Sequence, residues 1–215
     1  MSKSPLPEER RTAAPASLLY RPASYFERLP IASMFRASQP LEVELGSGDG
    51  NFLVDYACRH PDHNFLGIER LLGRIRKIDR KGRRAGLVNL SLLRIEAGYF
   101  LEWLLPDQCV WRLHIYFPDP WPKRRHVHNR LVGERFPGLA QRVLQPGGRV
   151  YLRTDNPDYH AQMREVFAVA PAFLEISTPI ELAALTTDFE KDFNAKDIET
   201  LRLAFELASS TAGSV

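Results

Sequence analysis

Two stretches of the sequence hold residues whose types and spacing suit chemistry. The first is ELGSGDGN (44–51), in which Gly46, Gly48 and Gly50 alternate directly before a helical pattern. Small residues at such a place let a ligand approach the backbone at the N-terminus of a helix. An acid, Glu69, follows 19 residues after Gly50, where a nucleotide-binding βαβ unit holds ribose hydroxyls. The loop and the acid together predict a site for a nucleoside cofactor.

The spacing of these glycines argues against a dinucleotide. An NAD-type fingerprint needs its third glycine one place later, and position 51 is Asn. A glycine-rich turn with a purely structural role stays open as the alternative.

The second stretch is YFPDPWPKRRH (116–126), which follows an apolar run. Prolines on both sides of Asp119 exclude a regular helix and most strand pairing. The stretch therefore predicts a stiff loop that presents Asp119, Trp121 and Lys123 in fixed directions. Rigid loops at strand ends often carry function.

Apolar runs and helical patterns alternate along the chain and predict the elements that position these loops. The predicted strands are 41–45, 64–68, 90–95, 112–117 and 149–154, and the predicted helices are 51–59, 71–84, 99–104, 134–143 and 158–167. Such alternation predicts a doubly wound α/β sheet, which binds ligands at the carboxyl ends of its strands. We expect a flexible tail and short helical turns over residues 1–37, the main domain over 38–208, and a frayed end over 209–215.

The charge of the chain is concentrated in one place. The whole protein carries +3, but residues 70–84 hold eight basic residues against one acid, a local charge of +7. The rest of the chain is therefore slightly acidic, at −4. Leu71, Ile75, Ile78 and Gly82 are predicted to form the buried stripe of this helix. Such a patch suits a polyanionic partner, and a solvated helix face is the alternative.

Composition narrows the class of protein. No apolar stretch approaches the length of a membrane span, and no secretory signal is evident. Two cysteines, Cys58 and Cys109, have no metal-binding spacing and are predicted to be small buried residues in a reducing compartment. We expect a soluble cytoplasmic protein with one core, no membrane partner and no metal.

The two stretches together resemble a known family. ELGSGDG with Glu69 resembles the S-adenosylmethionine site of Rossmann-like class I methyltransferases, and FPDPWPKRRH resembles the signature of the tRNA (guanine-N7-)-methyltransferases. The likeness extends from about Pro40 to Phe205 and includes TDNPDY (154–159) and TDFE (187–190). It implies an α/β fold with a doubly wound, mostly parallel seven-stranded sheet and helices on both faces. It also implies S-adenosylmethionine as cofactor, tRNA as partner and methylation of N7 of the variable-loop guanosine (position 46).

The resemblance implies roles for individual residues. The expected cofactor contacts are Glu44, Gly46, Gly48, Gly50, Glu69, Glu96 and Asp119, and Asp119 is also the expected catalytic residue. The expected substrate contacts are Lys123, Asp155, Thr187, Asp188, Phe189 and Glu190. The expected RNA contacts are Arg125, His126, Val127, His128, Asn129 and Arg130. Whether the protein is a monomer or a homodimer stays open.

Some of these residues also have an ordinary structural interpretation. Glu44 and Asp155 are typical of helix caps or arginine partners, and TDFE is typical of a capping box formed by Thr187 and Glu190. The family usually has Asp at the position of Glu96, is more basic over 127–129, and carries a basic residue and a glycine after TDFE. The basic segment 70–84 is a candidate for supplying phosphate contacts instead. Two rival functions stay open: a methyltransferase of this fold with another substrate, and a non-catalytic RNA-binding protein.

Overall fold

Residues 17–187, 190 and 195–209 of the chain are described by a computed structural model. The tail predicted for residues 1–16 lies outside the described residues, as does nearly all of the frayed end predicted for 209–215. Within the described segments, no helix combines the length and the apolarity that crossing a membrane requires.

The short apolar runs form strands, and the helical patterns between them form helices. The strands are β1 Leu41–Leu45, β2 Asn64–Ile68, β3 Leu90–Leu93, β4 Val110–Tyr116, β5 Leu144–Thr154, β6 Phe173–Ile176 and β7 Leu201–Leu207. The helices are α1 Ile31–Met34, α2 Asn51–Arg59, α3 Leu72–Arg84, α4 Ala97–Tyr99, α5 Phe136–Val143, α6 Pro157–Ala168 and α7 Ile180–Ala184. A π-helical turn, Phe100–Leu104, continues α4, and a 3₁₀ helix spans Arg124–Asn129.

The strands form one seven-stranded sheet in the order β3-β2-β1-β4-β5-β7-β6, in which β7 runs antiparallel to both neighbours. The predicted doubly wound, mostly parallel sheet is confirmed. All five predicted strands are present, although β3 stops at Leu93 and β5 begins at Leu144. Because β1 pairs in parallel with β2 and β4, the carboxyl ends of these three strands meet at one edge of the sheet.

Apolar side chains cover both faces of the sheet. One core contains Phe52 of α2 and Ile78 of α3. The other contains Phe136 of α5 and Phe167 of α6, with Phe100 of the π-helical turn. Helices on both faces were predicted and are confirmed.

The described segment before the main domain holds one short helical turn, Ile31–Met34, and residues 18–20 form an isolated parallel bridge with β3. Tyr20 donates its N–H to the carbonyl of Leu92 (2.7 Å), and Leu92 donates to the carbonyl of Leu18 (2.9 Å). Strand β3 lies at the end of the sheet, so its outer backbone groups are free to accept this partner. Among residues 17–37, which the structure describes, the helical turn is confined to Ile31–Met34.

Two predictions of burial are also wrong. Leu71 is 45% exposed, because it lies before α3 with an extended backbone (φ −85°, ψ 117°) and so falls outside the buried stripe. Cys58 is exposed, whereas Cys109 is partly buried. The buried stripe of α3 consists of Ile75, Ile78 and Gly82, and a Cβ at Gly82 would lie 2.5 Å from Leu18 Cδ1.

Candidate active site

A cleft of about 600 Å³ opens at the carboxyl ends of β1, β2 and β4. A smaller cavity of about 180 Å³ adjoins it beside the glycine loop, and both are lined by Tyr116 and Arg74. The predicted site residues in the larger cleft are Gly46, Gly48, Glu69, Glu96, Asp119 and Asn129, and those in the smaller cavity are Glu44, Gly46, Gly48, Gly50 and Thr187. The structure therefore brings the two sequence motifs together, in a cleft whose size suits a small-molecule cofactor.

The glycine loop needs glycine for two separate reasons. Gly46, Gly48 and Gly50 all have positive φ angles (82°, 55° and 75°), which side chains disfavour. A Cβ at Gly50 would lie 2.6 Å from Ile78, whereas a Cβ at Gly46 would meet no atom within 4 Å. Gly46 lines both cavities, so this loop leaves open space that a ligand can fill.

Glu69 shapes this loop from the end of β2. Its side chain is 5% exposed, and it accepts hydrogen bonds from the N–H of Gly48 (3.1 Å) and of Leu71 (2.8 Å), one on each oxygen. A carboxylate oxygen accepts two hydrogen bonds. Glu69 therefore fixes the loop and still has acceptor capacity toward a ligand in the cleft.

Glu44 is a buried acid with one oxygen that lacks a hydrogen-bond partner among the described residues. It is 4% exposed at the end of β1, and its Oε2 has no hydrogen-bond partner in the described part of the chain. Burial raises its pKa to about 8, against the lowering effects of the Ser47 hydrogen bond and the charge of Arg153. A buried carboxyl with one unpartnered oxygen beside the cavity fits a cationic group. The methionine part of S-adenosylmethionine carries an ammonium and a sulfonium.

Glu96 has a structural role that its sequence position did not suggest. It caps α4 by accepting from the N–H of Gly98 (2.8 Å) and of Tyr99 (2.6 Å), one on each oxygen. It also lines the larger cleft on the side of β3. Like Glu69, it holds backbone in place and keeps acceptor capacity toward the cleft.

The loop after β4 is the predicted stiff loop. Phe117 and Trp121 have positive φ angles (52° and 42°), a conformation that is strained for bulky residues by roughly 1–3 kcal/mol each. Asp119 is exposed at the edge of the cleft, and its Oδ1 accepts from the N–H of Trp121 (3.1 Å). The structure thus holds the Asp119 carboxylate in a defined direction at the edge of the cleft.

Arg130 holds this loop in place from the interior of the protein. Its guanidinium donates to the carbonyl of Pro120 (2.7 Å), to Gln162 Oε1 (2.6 Å) and to Asp158 Oδ2 (2.5 Å). It also lies 4.8 Å from the ring centre of Tyr159. An RNA contact needs this guanidinium at the surface, but the structure places it inside with only 2% of the side chain exposed.

The other predicted RNA contacts lie on the 3₁₀ helix. Arg125, His128 and Asn129 are exposed, whereas Val127 and His126 are half-buried. The His126 ring packs edge-on against Trp121, at 5.7 Å between ring centres. Lys123, directly before this helix, is exposed.

The predicted substrate residues differ in their accessibility. Asp155 is half-buried after β5 and makes no hydrogen bond or ion pair with the described residues, since Asn156 caps α6 by accepting from the N–H of Tyr159 (2.8 Å). Thr187 lines the smaller cavity. The predictions for Asp188 and Phe189 lie outside the described residues.

Thr187 and Glu190 form the capping-box pair that was the structural alternative. Thr187 N–H donates to Glu190 Oε2 (2.8 Å), and Glu190 N–H donates to Thr187 Oγ1 (3.1 Å). Glu190 is fully buried, and its carboxylate accepts from Arg153 (2.7 Å) and Arg202 (2.8 Å). Its oxygens are therefore occupied inside the protein, and Thr187 is the member of the pair that faces the cavity.

Sequence reasoning missed a buried network that supports Tyr116. Burial alone would raise the pKa of Glu42, but hydrogen bonds from His114 and His63 and the charge of Arg112 lower it to about 2. Burial lowers the pKa of His114, so a neutral His114 donates through Nε2 to Glu42 (2.7 Å). Its Nδ1 then accepts from the Tyr116 hydroxyl (2.8 Å). Polar residues at alternate positions of β1 and β4 were the available signal.

Comparisons with known proteins place these features in a family. A family model described as "Putative methyltransferase" (Methyltransf_4) matches residues 38–203. A tRNA (guanine-N(7)-)-methyltransferase of Geobacillus kaustophilus is 34% identical over 168 residues, which cover 76% of this chain and 77% of that protein. The chain belongs to the tRNA (guanine-N7-)-methyltransferase family.

Other members of this family align over a smaller share of their length. One from Syntrophotalea carbinolica is 38% identical over 128 residues, which cover 60% of this chain and 55% of that protein. The chain thus spans little more than half the length of that relative. A solved structure of the 16S rRNA methyltransferase KamB superimposes with a TM-score of 0.61 at 18% identity, covering 85% of this chain and 95% of that one. At this identity the likeness concerns the fold alone.

Proposed function

We propose that this protein transfers the methyl group of S-adenosylmethionine to N7 of the guanosine at position 46 in the variable loop of tRNA. The observation that carries the proposal is the position of the FPDPWPKRRH loop. This family signature holds Asp119 at the edge of the cleft that Glu69 and the glycine loop line. Membership of the tRNA (guanine-N7-)-methyltransferase family supports the same assignment. With tRNA as its substrate, the protein is expected to act in the cytoplasm.

The residues of the cleft fit the cofactor in three places. Glu69 and Glu96 present acceptors for its ribose and adenine hydrogen-bond donors, and Gly46 leaves space for its close approach. Glu44 presents a buried, unpartnered oxygen for the positive charge of its methionine part. S-adenosylmethionine, when bound, supplies an electrophilic methyl group on a sulfonium.

The protein's task in this reaction is alignment. Guanine N7 carries an in-plane lone pair and no proton, so no strong general base is needed. Holding two reacting groups in line supplies much of the rate enhancement by itself. The two strained residues and the Arg130 anchor keep the Asp119 loop rigid enough for this task, and Asp119 is in position to accept from the base edge.

The substrate residues divide into contacts and supports. Three residues can contact the guanosine. Lys123 is exposed, Asp155 has no partner among the described residues, and Thr187 lines the smaller cavity. Glu190 and Arg130 act by positioning, since their charged groups are used inside the protein. The exposed Arg125, His128 and Asn129 are the proposed RNA contacts of the 3₁₀ helix.

The test is transfer of labelled methyl from S-adenosylmethionine to unmodified bulk tRNA, followed by borohydride–aniline cleavage to locate 7-methylguanosine. Cleavage in the variable loop supports the reaction, the substrate and the site together. Labelling at another nucleotide points to a different RNA methylation. Cofactor binding without transfer to any RNA contradicts the proposal and favours a small-molecule substrate.

A further inference from the structure

Helix α3 sorts its basic residues into two rows. The inner row, Lys77 and Lys81, contacts the glycine loop. Lys77 Nζ lies 3.0 Å from Asp49 Oδ2. Lys81 Nζ donates to the carbonyl of Asp49 (2.7 Å) and to the side chain of Asn51. These two lysines therefore hold the cofactor loop. Their charges are already used within the protein.

The outer row consists of Arg76, Arg80 and Arg84. All three are exposed and make no hydrogen bond or ion pair with any described residue. They are spaced four residues apart, so their side chains follow one another on one helix face at intervals of about 6 Å. Arg83 differs, because it pairs with Asp79 at 3.0 Å.

This arrangement is unfavourable for a face that only meets water. Solvated helix faces gain stability from opposite charges four residues apart, and like charges at that spacing destabilise the helix. Here Arg76 and Arg80, and again Arg80 and Arg84, are like-charge pairs at that spacing. The remainder of the chain is slightly acidic, so the row is a local concentration of charge rather than part of a generally basic surface.

The row also has a direction relative to the active site. Helix α3 begins just after Glu69, and Arg74 in its first turn lines the cleft. Its 13 residues extend about 20 Å from that point. The outer row therefore leads from the edge of the cleft along the side of the protein.

We propose that Arg76, Arg80 and Arg84 bind successive phosphates of the tRNA strand that continues beyond the target guanosine. This inference rests on the proposed function and adds a second contact surface, separate from the 3₁₀ helix. A planar guanidinium binds phosphate through paired hydrogen bonds. Evenly spaced arginines on a rigid helix suit a polyanion with regular charge spacing.

The experiment compares three charge-matched pairs of substitutions in the full chain. The outer pair is Arg76→Gln with Arg80→Gln, and the inner pair is Lys77→Gln with Lys81→Gln. The distant pair, Arg149→Gln with Arg164→Gln, lies on β5 and α6, where the two arginines pair with Glu206 of β7 and Glu175 of β6, away from α3 and the 3₁₀ helix. Each pair removes two positive charges, so a general charge effect changes all three equally. Thermal melts followed by circular dichroism check that each variant is folded.

Affinity for unmodified tRNA is measured at several salt concentrations, with methyl transfer and cofactor binding on the same samples. For the outer pair we expect a salt dependence of log Kd that is flatter by about 1.5 to 2. We also expect about tenfold weaker binding near 0.1 M salt, a raised KM for tRNA, and unchanged cofactor affinity. The distant pair keeps the wild-type salt slope, and the inner pair loses cofactor affinity instead.

The results separate this inference from the proposed function. If wild-type protein methylates tRNA and the outer pair keeps its salt slope, the phosphate-binding row is overturned and the proposed function stands. An equal loss of slope in all three pairs also overturns it, because the effect is then one of net charge. If wild-type protein neither binds nor methylates tRNA, the proposed function itself fails.

Discussion

Replacing Glu44 by Gln is expected to stabilise the protein at neutral and alkaline pH and to have little effect at acidic pH. Burial raises the pKa of Glu44 from 4.5 to about 8, so the folded state keeps its proton where the unfolded chain releases it. The folded state therefore loses stability as the pH rises from about 4.5 to about 8. One pKa unit corresponds to about 1.4 kcal/mol, so the penalty near pH 7 is roughly 3 kcal/mol.

Urea unfolding of wild type and Glu44→Gln at pH 5, 6, 7 and 8 tests this reasoning. The free energy of unfolding of the variant, relative to that of the wild type, is expected to rise by roughly 1 kcal/mol for each pH unit across this range, with a smaller rise near pH 8. Glu175→Gln, which removes a carboxyl group from the surface, controls for the loss of one acid. A gap between wild type and Glu44→Gln that stays constant with pH would refute a raised pKa at this position.

The same group links cofactor binding to protons. At pH 7 a group with a pKa of about 8 is roughly nine-tenths protonated. A cationic ligand placed beside it favours the ionised form, so binding releases up to about 0.9 proton. Calorimetry with S-adenosylmethionine in buffers of different ionisation enthalpy measures this release. Glu44→Gln is expected to release none, and equal release by both proteins would place the cation elsewhere.

Three further substitutions test the loop and its supports. Asp119→Asn keeps a side-chain acceptor but removes the charge, and we expect about 100-fold lower kcat with an unchanged melt; full activity would remove Asp119 from the site. Arg130→Met removes three hydrogen bonds and frees the carbonyl of Pro120, so kcat is expected to fall with a stability loss of about 2–4 kcal/mol. Unaltered kcat would contradict its anchoring role. Glu190→Gln leaves Arg153 buried without its counter-charge, and urea unfolding is expected to show a loss of about 3–5 kcal/mol. A loss of activity at wild-type stability would instead mark Glu190 as a substrate contact.

The sequence predicted the parts of the site that depend on residues close together in the chain. The glycine loop and Glu69 follow from a local pattern, because positive φ angles require glycine and the βαβ spacing is regular. The stiffness of the Asp119 loop follows from its prolines. These features depend on backbone geometry within one segment, so sequence reasoning reaches them.

The parts that the sequence did not predict depend on which residues meet across the fold. Arg130 lies among basic neighbours, and nothing local separates the buried arginine from the exposed Arg125. Its partners Asp158 and Gln162 come from α6, about thirty residues later. The burial of Glu190 likewise depends on Arg153 of β5, which donates to its carboxylate. Only the packed structure brings these groups together.

The pairing of residues 18–20 with β3 has a consequence for the behaviour of the protein in solution. An uncovered edge strand offers its backbone to other molecules and promotes aggregation. Here Leu18 packs on Gly82, and its N–H donates to Asp79 of α3 (2.7 Å), so the cover is fixed by side chains as well as by backbone. A shortened chain that begins after Tyr20 would keep the residues that line the cleft, and we expect it to aggregate more readily because the edge of β3 is uncovered. The safe starting point for expressing this domain therefore lies before Ser17.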